Sequence, residues 1–473
     1  MIRPAQYQYK PQQFNYKEWP IIDLSGGKND FLDDNLIKGN QATDLQNVIC
    51  VTIGRLQKRK GQAKLNTAAL AGAIQGLYAY YYGATLQNRR IITVSNGVAY
   101  YWDGAAFQSF RTGLSTTNQV QFITGVNYMM GFDGTAPFKY DGTTASTLAN
   151  APTTGKCPVL HKESVFVITD LDTIRWSDPF KPESWPGVNV WQFDKGDGDE
   201  LAMAVPFGGQ YLACKKRKIH LLRGSSLDDF RSDIVDNNHG VVGQRAGIVL
   251  EPYFYYVSYD GIMLFDGIKS TNLTAETIPL TWAGVNKAQL SKAVAGYNPA
   301  YNHLWFHLPE GASTTNNLVL VFDLNFKTLW IFRGIEAAAM MQFNDGTNLK
   351  TYTGHATLGH VVEQNIGFND LGVAITSYWQ GGAFDDGDPV RVKKIKKHFA
   401  ADANGLNDAT FKYRLNYGAW QTPTAQTDKD NVRKYRIPNG KCRQFQPRYE
   451  HAVLDQDFTL SGAKTLFDPG RDK

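Results

Sequence analysis

The chain has 473 residues, of which 42% are hydrophobic and 20% are charged, so a folded core is expected and wholesale disorder is excluded. The net charge of +5 comes from 49 basic and 44 acidic residues spread along the sequence. A dedicated nucleic-acid-binding protein usually has a stronger and more segregated basic bias, so this composition allows no more than incidental contact with phosphate. The 24 Tyr, 26 Phe, 10 Trp and 44 Gly favour aromatic strands joined by turns.

The four cysteines, Cys50, Cys157, Cys214 and Cys442, lie far apart and form no CxxC pair. A thiolate zinc site is therefore not expected. Such sparse cysteines do not imply disulfides, and they fit folding in a reducing cytoplasm.

Residues 1–20 are polar and aromatic and include Pro4, Pro11 and Pro20, so we expect an extended arm. They lack the charged start and apolar run of a signal peptide. No run of about 18 apolar residues occurs, and no membrane-spanning segment is expected.

Residues 21–69 are interpreted as an N-terminal strand followed by a platform segment. Within it, residues 42–48 fit a short helical turn. Residues 55–60 fit a strand that lies between the turn glycines Gly54 and Gly61.

Residues 70–374 repeat one pattern, in which a short aromatic or β-branched run ends in a turn. Most of these turns contain Asp-Gly, which suits a two-residue hairpin turn because both positions tolerate positive φ. The Asp-Gly pairs are Asp103-Gly104, Asp133-Gly134, Asp141-Gly142, Asp260-Gly261, Asp266-Gly267 and Asp345-Gly346. Segments 91–104, 253–267 and 302–332 each read as hairpins, and 279–296 is the best helix candidate. Blades of about 40–50 residues predict an all-β chain with a β-propeller of about six or seven blades.

Residues 375–473 follow a different pattern. Segment 411–418 alternates aromatic and polar residues, and segments 443–453 and 457–467 also resemble strands. Such alternation indicates a sheet with one covered face and one solvated face. We predict an added C-terminal β-sandwich or sheet domain here.

The sequence contains no P-loop, HExxH, GxSxG or strand-linked GxGxxG motif. Its best acidic cluster comprises Asp194, Asp197, Asp199 and Glu200. Glycine-spaced carboxylates can bind calcium, but this spacing does not match an EF-hand loop. An exposed turn, a cation site and, least of all, catalysis are the interpretations left open for this cluster.

The histidine pairs His303 with His307 and His355 with His360 could in principle bind a metal, although packed or surface histidines explain them more simply. A propeller glycosidase would need two carboxylates that converge on the axis. Candidates for such a pair are Asp23, Asp170 and Asp323. We assign no catalytic, cofactor-binding or metal-ligating residue, and we expect no cofactor and no enzyme activity.

Three short basic runs occur at residues 55–60, 215–218 and 391–397. They are interpreted as lysine-guarded strand edges, with contact to DNA phosphates or an acidic partner as the alternative. The loop aromatics Trp176, Trp185 and Trp191 could stack on sugars or bases, but they fit contacts between blades or subunits better.

Segment 26–61 resembles the opening of phage tail propeller proteins, which pairs Gly-Gly-x-Asn with A-x-D-x-x-N and Gly-x-Leu-x-x-Arg-x-Gly. The matching residues are Gly26, Gly27, Asn29, Ala42, Asp44, Asn47, Gly54, Leu56, Arg59 and Gly61. Segments 173–201, 206–224 and 258–267 resemble later phrases of the same family in the same order. The family is the tail hub or nozzle of short-tailed bacteriophages, also called the packaged-DNA stabilization protein.

This resemblance implies a structural virion protein made in the host cytoplasm, a subunit of a six-fold ring that closes the DNA exit channel. It implies a portal or adaptor ring above and fibres, spikes or a plug as further partners, and genome DNA in the channel is a candidate partner. We expect the arm 1–20 and the sheet 375–473 to make inter-subunit contacts, so that deleting residues 1–20 abolishes ring formation. The alternatives are a carbohydrate-binding or glycan-cleaving propeller, and a cellular adhesion propeller, which would normally carry a secretion signal.

Overall fold

The computed structural model describes residues 16–83, 86–401, 409–427, 432–438 and 440–470. The chain begins with five short strands that belong to four different sheets. These strands are β1 Lys17–Ile21, β2 Ala42–Gln46, β3 Val48–Thr52, β4 Arg55–Lys58 and β5 Gln62–Lys64.

Six consecutive four-stranded antiparallel sheets follow, each folded from one continuous stretch of chain. We number them blade 1 to blade 6 in chain order. Blade 1 contains β6 Ile74–Tyr82, β7 Asn88–Ser95, β8 Val98–Trp102 and β9 Phe107–Arg111, and blade 2 contains β10 Gln121–Gly125, β11 Tyr128–Phe132, β12 Phe138–Tyr140 and β13 Ala145–Thr147. Blade 3 contains β14 Lys156–His161, β15 Ser164–Ile168, β16 Thr173–Trp176 and β17 Val190–Gln192, and blade 4 contains β18 Leu201–Phe207, β19 Gln210–Lys215, β20 Ile219–Arg223 and β21 Arg231–Asp236. Blade 5 contains β22 Gly247–Leu250, β23 Tyr253–Val257, β24 Ile262–Phe265 and β25 Ser270–Asn272, and blade 6 contains β26 Val294–Asn298, β27 His303–Leu308, β28 Leu318–Asp323 and β29 Thr328–Arg333.

Blade 7 combines strands from two distant parts of the chain. It contains β30 Ala337–Asn344, β31 Leu349–His355 and β32 Val361–Gln364, and its fourth strand is β5, which pairs antiparallel with β32. The first strand of each blade contacts the first strand of the next, from β6 around to β30 and back to β6. The fold is therefore a closed seven-bladed propeller, which confirms the predicted all-β fold class.

Strands inside the blades are short runs of buried β-branched and aromatic residues. All six residues of β28 are buried, as are all six of β27. Both faces of a blade pack against neighbouring blades, so these strands lack the alternation of a half-exposed sheet. The predicted hairpins 253–267 and 302–332 are confirmed as β23–β24 and β27–β29.

The Asp-Gly turns are not the two-residue turns that the sequence predicts. Between β8 and β9 only Gly104 has positive φ (106°), and the Asp103 carboxylate accepts hydrogen bonds from the amides of Ala105 and Ala106, both at 2.8 Å. Carboxylates that cap two amides in the same way are those of Asp133, Asp141, Asp266 and Asp345. Aspartate bonding to its own loop favours a longer turn, so the dipeptide marks the strand ends but not the loop length.

A two-residue hairpin turn does occur at Asn96-Gly97, as predicted, with φ of 47° and 72°. Val126-Asn127 and Lys162-Glu163 adopt the same doubly positive conformation at the first hairpins of blades 2 and 3. Neither pair contains glycine, so the sequence does not mark these turns. The pairing of the two flanking strands imposes the turn conformation at both places.

The second unit contains most of the remaining strands. These strands are β33 Asn369–Asp370, β34 Val373–Ala374, β35 Ser377–Gly381, β36 Lys393–Ala401, β37 Thr410–Leu415, β38 Ala425–Thr427, β39 Val432–Arg436, β40 Lys441–Cys442, β41 Phe445–His451, β42 Thr459–Leu460 and β43 Gly462–Asp468. Strands β33 and β34 extend the sheet of blade 7 beyond β5. The others join β1–β4 in three sheets, so both ends of the chain build this unit.

Two sheets of the second unit form a sandwich. Sheet A has the order β1-β43-β36-β39-β38, with β40 also on β36, and sheet B has the order β2-β35-β41-β37. Between them, the buried His398 ring of sheet A stacks on Phe411 of sheet B at 4.3 Å, and Phe411 lies 4.6 Å from Tyr435. The third sheet is β3-β4-β42, and its strand β3 contacts β35 of sheet B.

The chain ends and the helices differ in part from the predictions. Residues 17–21, at the end of the predicted arm, form edge strand β1 on β43, whereas residues 1–15 lie outside the described residues. Residues 42–46 form strand β2 rather than a helical turn, because pairing with β35 outweighs the local pattern. Candidate 279–296 contains helix α1 Pro279–Ala283 and a 3-10 helix at 287–292. Within the described ranges no helix has the length and apolarity to cross a bilayer.

Candidate functional site

The predicted acidic cluster 194–200 lies against the basic run 215–218. Asp197 is at the centre, with its carboxylate oxygens 2.7 Å from the Lys215 ammonium and 3.0 Å from the Lys218 ammonium. The surrounding contacts are Lys218 with Asp194, Lys216 with Glu200, and the Arg217 amide with Asp199. Burial alone would raise the pKa of Asp197, but hydrogen bonds from Lys215, the Asp199 amide and Lys218 hold it far below its usual range. The two motifs thus neutralise each other across the first hairpin of blade 4.

The predicted histidine pairs point to different partners. His303 lies 3.2 Å from the Asp323 carboxylate, whereas neither ring nitrogen of the buried His307 has a hydrogen-bond partner. His355 accepts the amides of its own turn, and His360 bonds to the Asn66 carbonyl. Among the residues that the structure describes, no group of three metal-ligating side chains is present.

Burial lowers the pKa of His307 to about 3. An unfolded histidine takes up a proton near pH 6.5, so this site loses stability as the pH falls from about 6.5 towards 3. As the pH falls through that window, we expect the unfolding free energy of His307→Leu to decrease less steeply than that of the parent protein, by about 1.4 kcal/mol per pH unit. Denaturant unfolding at pH values from about 7.5 to about 4.5 measures this, and the variant at pH 7.5 provides the internal baseline. Parallel pH profiles for the two proteins would contradict it.

The carboxylates proposed for a glycosidase pair are dispersed. Asp23 bonds to Ser25 and Asn40 outside the propeller, Asp170 follows β15, and Asp323 ends β28 beside His303. None of the three lies on the first strand of a blade, which is the strand that faces the propeller axis.

The propeller axis holds an arginine that the sequence analysis did not single out. Arg245 precedes β22 and lines an axial cavity of about 230 Å³. Its guanidinium donates hydrogen bonds to the carbonyls of Gln75 and Val120, both at 2.5 Å, and of Ala338 at 2.8 Å. These carbonyls belong to blades 1, 2 and 7, so one side chain links three blades across the axis. Burial lowers the pKa of Arg245 to about 10, still well above neutral pH.

A glutamine adds a second axial link. Gln121 in β10 donates to the Gln244 carbonyl and accepts from the Cys157 amide, both at 2.9 Å. Among the described residues that line the axial cavity, none carries a carboxylate. A sequence signal for this site exists in retrospect, since Arg245 lies between Gly243 and Gly247, and glycine marks close backbone approach.

The basic runs do not lie at strand edges. Residues 55–58 form β4, which lies between β3 and β42, and the buried Lys58 ammonium donates to the carbonyls of Val453 and Gln456. Residues 393–397 lie on β36, in the interior of sheet A. Edge protection is therefore the wrong interpretation of these runs, because pairing with strands distant in sequence covers both edges.

The three tryptophans lie in blade 3. Trp176 is buried on β16, stacks on Phe166 at 5.1 Å and meets Phe230 of the loop before β21 at 5.3 Å. Trp191 also contacts Phe230, and Trp185 donates to the Pro182 carbonyl. The contacts of Trp176 and Trp191 bridge blades 3 and 4, in agreement with the inter-blade interpretation.

The segment that resembles tail propeller proteins forms the joint between the two units, and Arg59 is its centre. The Arg59 side chain is 3% exposed and makes two hydrogen bonds to the Asp370 carboxylate, at 2.9 and 2.5 Å. It also donates to the Asn47 side chain and to the Arg333 carbonyl, each at 2.9 Å. Asn47 in turn accepts the Arg333 amide. One buried guanidinium thus connects the N-terminal segment, blade 6 and the extension of blade 7.

Two glycines of the same segment allow the backbones to approach closely. A Cβ on Gly27, which has φ of 66°, would lie 2.6 Å from the Leu329 carbonyl oxygen of blade 6. A Cβ on Gly61 would lie 1.9 Å from the Asn369 carbonyl oxygen. A side chain at Gly27 or Gly61 would therefore collide with a neighbouring backbone carbonyl, and the close packing of the joint requires glycine at both positions.

Comparisons with known proteins add little to this geometry. No family model matches the sequence, and no curated protein matches it. Two crystal structures of BBS1N in complex with ARL6DN, one soaked with lead and one with mercury, have TM-scores of 0.44 and 0.45 and 12% sequence identity. Each match covers 66% of this chain and 99% of the other. The closed succession of sheets from β6 to β30 and back to β6 defines the propeller.

Proposed function

We propose that this chain is a structural virion protein, one subunit of a ring in the tail hub or nozzle of a short-tailed bacteriophage. In that position the ring closes the DNA exit channel below a portal or adaptor ring and docks fibres, spikes or a plug. The supporting observation is that segment 26–61, which carries the first part of the family resemblance, contributes Arg59, Asn47, Gly27 and Gly61 to the joint between the two units. That segment holds two units together, as a load-transmitting ring subunit requires.

Rigidity supports the same proposal. The axis is bridged by Arg245, the seventh blade is completed by β5, and the joint buries an ion pair. The acidic and basic motifs of blade 4 neutralise each other. The most charged motifs of the propeller therefore have structural partners within the same chain.

An exposed apolar hairpin provides a surface for assembly into a ring. Val51 near the end of β3 is 48% exposed, Ile53 in the turn between β3 and β4 is 67% exposed, and the nearby Ile22 is 73% exposed. A Cβ on Gly54 would lie 3.0 Å from the Ile22 carbonyl oxygen, so the backbone at Ile22 passes beside this turn, and we refer to Ile22, Val51 and Ile53 as one patch. We assign this patch to the contact between neighbouring subunits.

The alternative is a carbohydrate-binding or glycan-cleaving propeller. That function would use aromatic platforms or paired carboxylates near the axis. The described lining of the axial cavity carries no carboxylate, and its two aromatic rings, Tyr78 and Phe122, stack on each other at 5.5 Å. This lining favours the structural proposal over the carbohydrate alternative.

The proposal predicts rings of the full-length protein, in particular six-fold rings, in mass measurements and negative-stain images. We expect Ile53→Asp to abolish the rings without changing the thermal melt, because a buried unpaired carboxylate disfavours the contact. Ile268→Asp is the matched control, since Ile268 is 85% exposed in a turn of blade 5. Monomers that bind glycans on an array would instead support the carbohydrate alternative. Rings unaffected by Ile53→Asp would retain the proposal but reject this contact.

A further inference from the structure

The outer face of sheet A is densely basic. The side chains on this face that carry positive charge are Lys394, Lys396 and Lys397 of β36, Lys434 and Arg436 of β39, Lys441 of β40 and Lys464 of β43. Across the strands, Lys397 is opposite Arg436 and Lys394 is opposite Lys441. The opposite face of β36, with Ile395 and His398, packs into the sandwich.

A β-bulge increases the charge density at the middle of this face. The register between β36 and β43 shifts between Ile395 and Lys397. A bulge re-aims side chains that would otherwise alternate between faces. Lys396 therefore joins its neighbour Lys397 on the outer side, and both line one shallow cavity of about 380 Å³ with Lys434 and Arg436.

The described residues compensate little of this charge. Lys464 pairs with Glu18 at 3.1 Å, and Asp468, opposite Lys394, is the other carboxylate on the described part of the face. In the described ranges, no carboxylate lies within salt-bridge distance of the remaining six cations. This differs from the basic run of blade 4, where each lysine has an acidic partner.

The composition of the face favours a phosphate backbone over a protein as its ligand. Protein interfaces are depleted in Lys and enriched in aromatic residues, whereas this face consists mainly of lysine. Its two aromatic rings, Phe399 and Tyr16, each have a lysine ammonium above them at 5.7 Å, which leaves no free platform for an unstacked base. Residues two apart on a strand lie about 6.7 Å from one another and strands about 4.8 Å, a spacing suited to the dense charge of duplex DNA.

We propose that the outer face of sheet A binds the phosphate backbone of duplex DNA without reading its sequence. The ammonium groups of the lysines and the guanidinium group of the arginine contact phosphates. These contacts release counterions condensed on the DNA, and that release drives binding. The proposed function identifies the DNA as the packaged genome, and to that extent the inference rests on it. Binding itself is a property of the isolated chain and can be measured without any ring.

The test measures fluorescence anisotropy of a labelled duplex of mixed sequence with the full-length protein between about 50 and about 200 mM salt. The variant replaces Lys397, Lys434 and Arg436 with Gln, which removes charge from the solvent side only. We expect at least a tenfold weaker affinity at the lower salt concentration. The slope of log affinity against log salt should also decrease by up to about 0.9 for each contact removed.

The matched control replaces Lys38, Arg217 and Lys269 with Gln, exposed residues without a salt bridge in the structure as described. It changes the net charge equally, and we expect unchanged DNA affinity. Equal weakening by both variants, or no salt-dependent binding by the parent protein, would overturn the inference. Loss of rings in the first variant without parental DNA binding would identify the face as a protein contact instead. DNA binding by a parent that forms no ring would reject the ring and retain the inference.

Discussion

Replacing Arg59 with Met is expected to lower the unfolding free energy by about 3–5 kcal/mol, the largest effect that we predict for a single side chain. The substitution keeps an apolar stem but leaves the Asp370 carboxylate, which is 12% exposed, without its cation. The Asn47 side chain and the Arg333 carbonyl also lose a donor. Denaturant unfolding monitored by tryptophan fluorescence measures the loss.

The control for this prediction is Arg223→Met. Arg223 pairs with Asp233 at 3.1 Å, but the two side chains are 56% and 59% exposed. Exposed pairs contribute about 0–1 kcal/mol, so this variant should unfold almost like the parent protein. If Arg59→Met and Arg223→Met had the same effect, the Arg59 ion pair would not stabilise the joint.

The second large effect is expected at the propeller axis. Arg245→Met removes the donors of three inner-strand carbonyls, those of Gln75, Val120 and Ala338. An unsatisfied buried group costs about 1–3 kcal/mol, and water entering the axial cavity recovers part of that cost. We expect a net loss of about 3 kcal/mol in unfolding free energy by denaturant titration.

Arg245→Lys separates geometry from charge at this position. A single ammonium lacks the planar fork that reaches three carbonyls on three blades, so we expect it to restore less than half of the lost stability. Arg217→Met, on an exposed turn, is the control and should stay within about 0.5 kcal/mol of the parent. Full restoration by lysine would show that charge alone is sufficient.

Local signals in the sequence predicted the repeated strands and many of the turns. The hairpins at 91–104 and 253–267 carry their turn residues and strand residues within one short segment, so no distant information is needed. The Asp-Gly loops were placed correctly, but their length was wrong because the aspartate side chain competes for the loop amides.

Long-range pairing could not be read from the sequence. Both charged motifs of blade 4, 194–200 and 215–218, were recognised, but nothing local shows that they neutralise each other. The same limit applies to β5, whose partner β32 lies about 300 residues further along the chain. Arg245 was missed for this reason too, since its three carbonyl partners come from blades 1, 2 and 7.

Closure of blade 7 by β5 imposes an order on biosynthesis. Gln62–Lys64 leaves the ribosome first, and its pairing strand Val361–Gln364 is made roughly 15–60 s later at about 5–20 residues per second. Blades 1–6 each consist of neighbouring segments and can form during that interval. The nascent chain therefore carries an open ring and an unpaired strand until Val361–Gln364 has been made, and ring closure can precede completion of the sandwich, whose strands β35–β43 follow later in the chain.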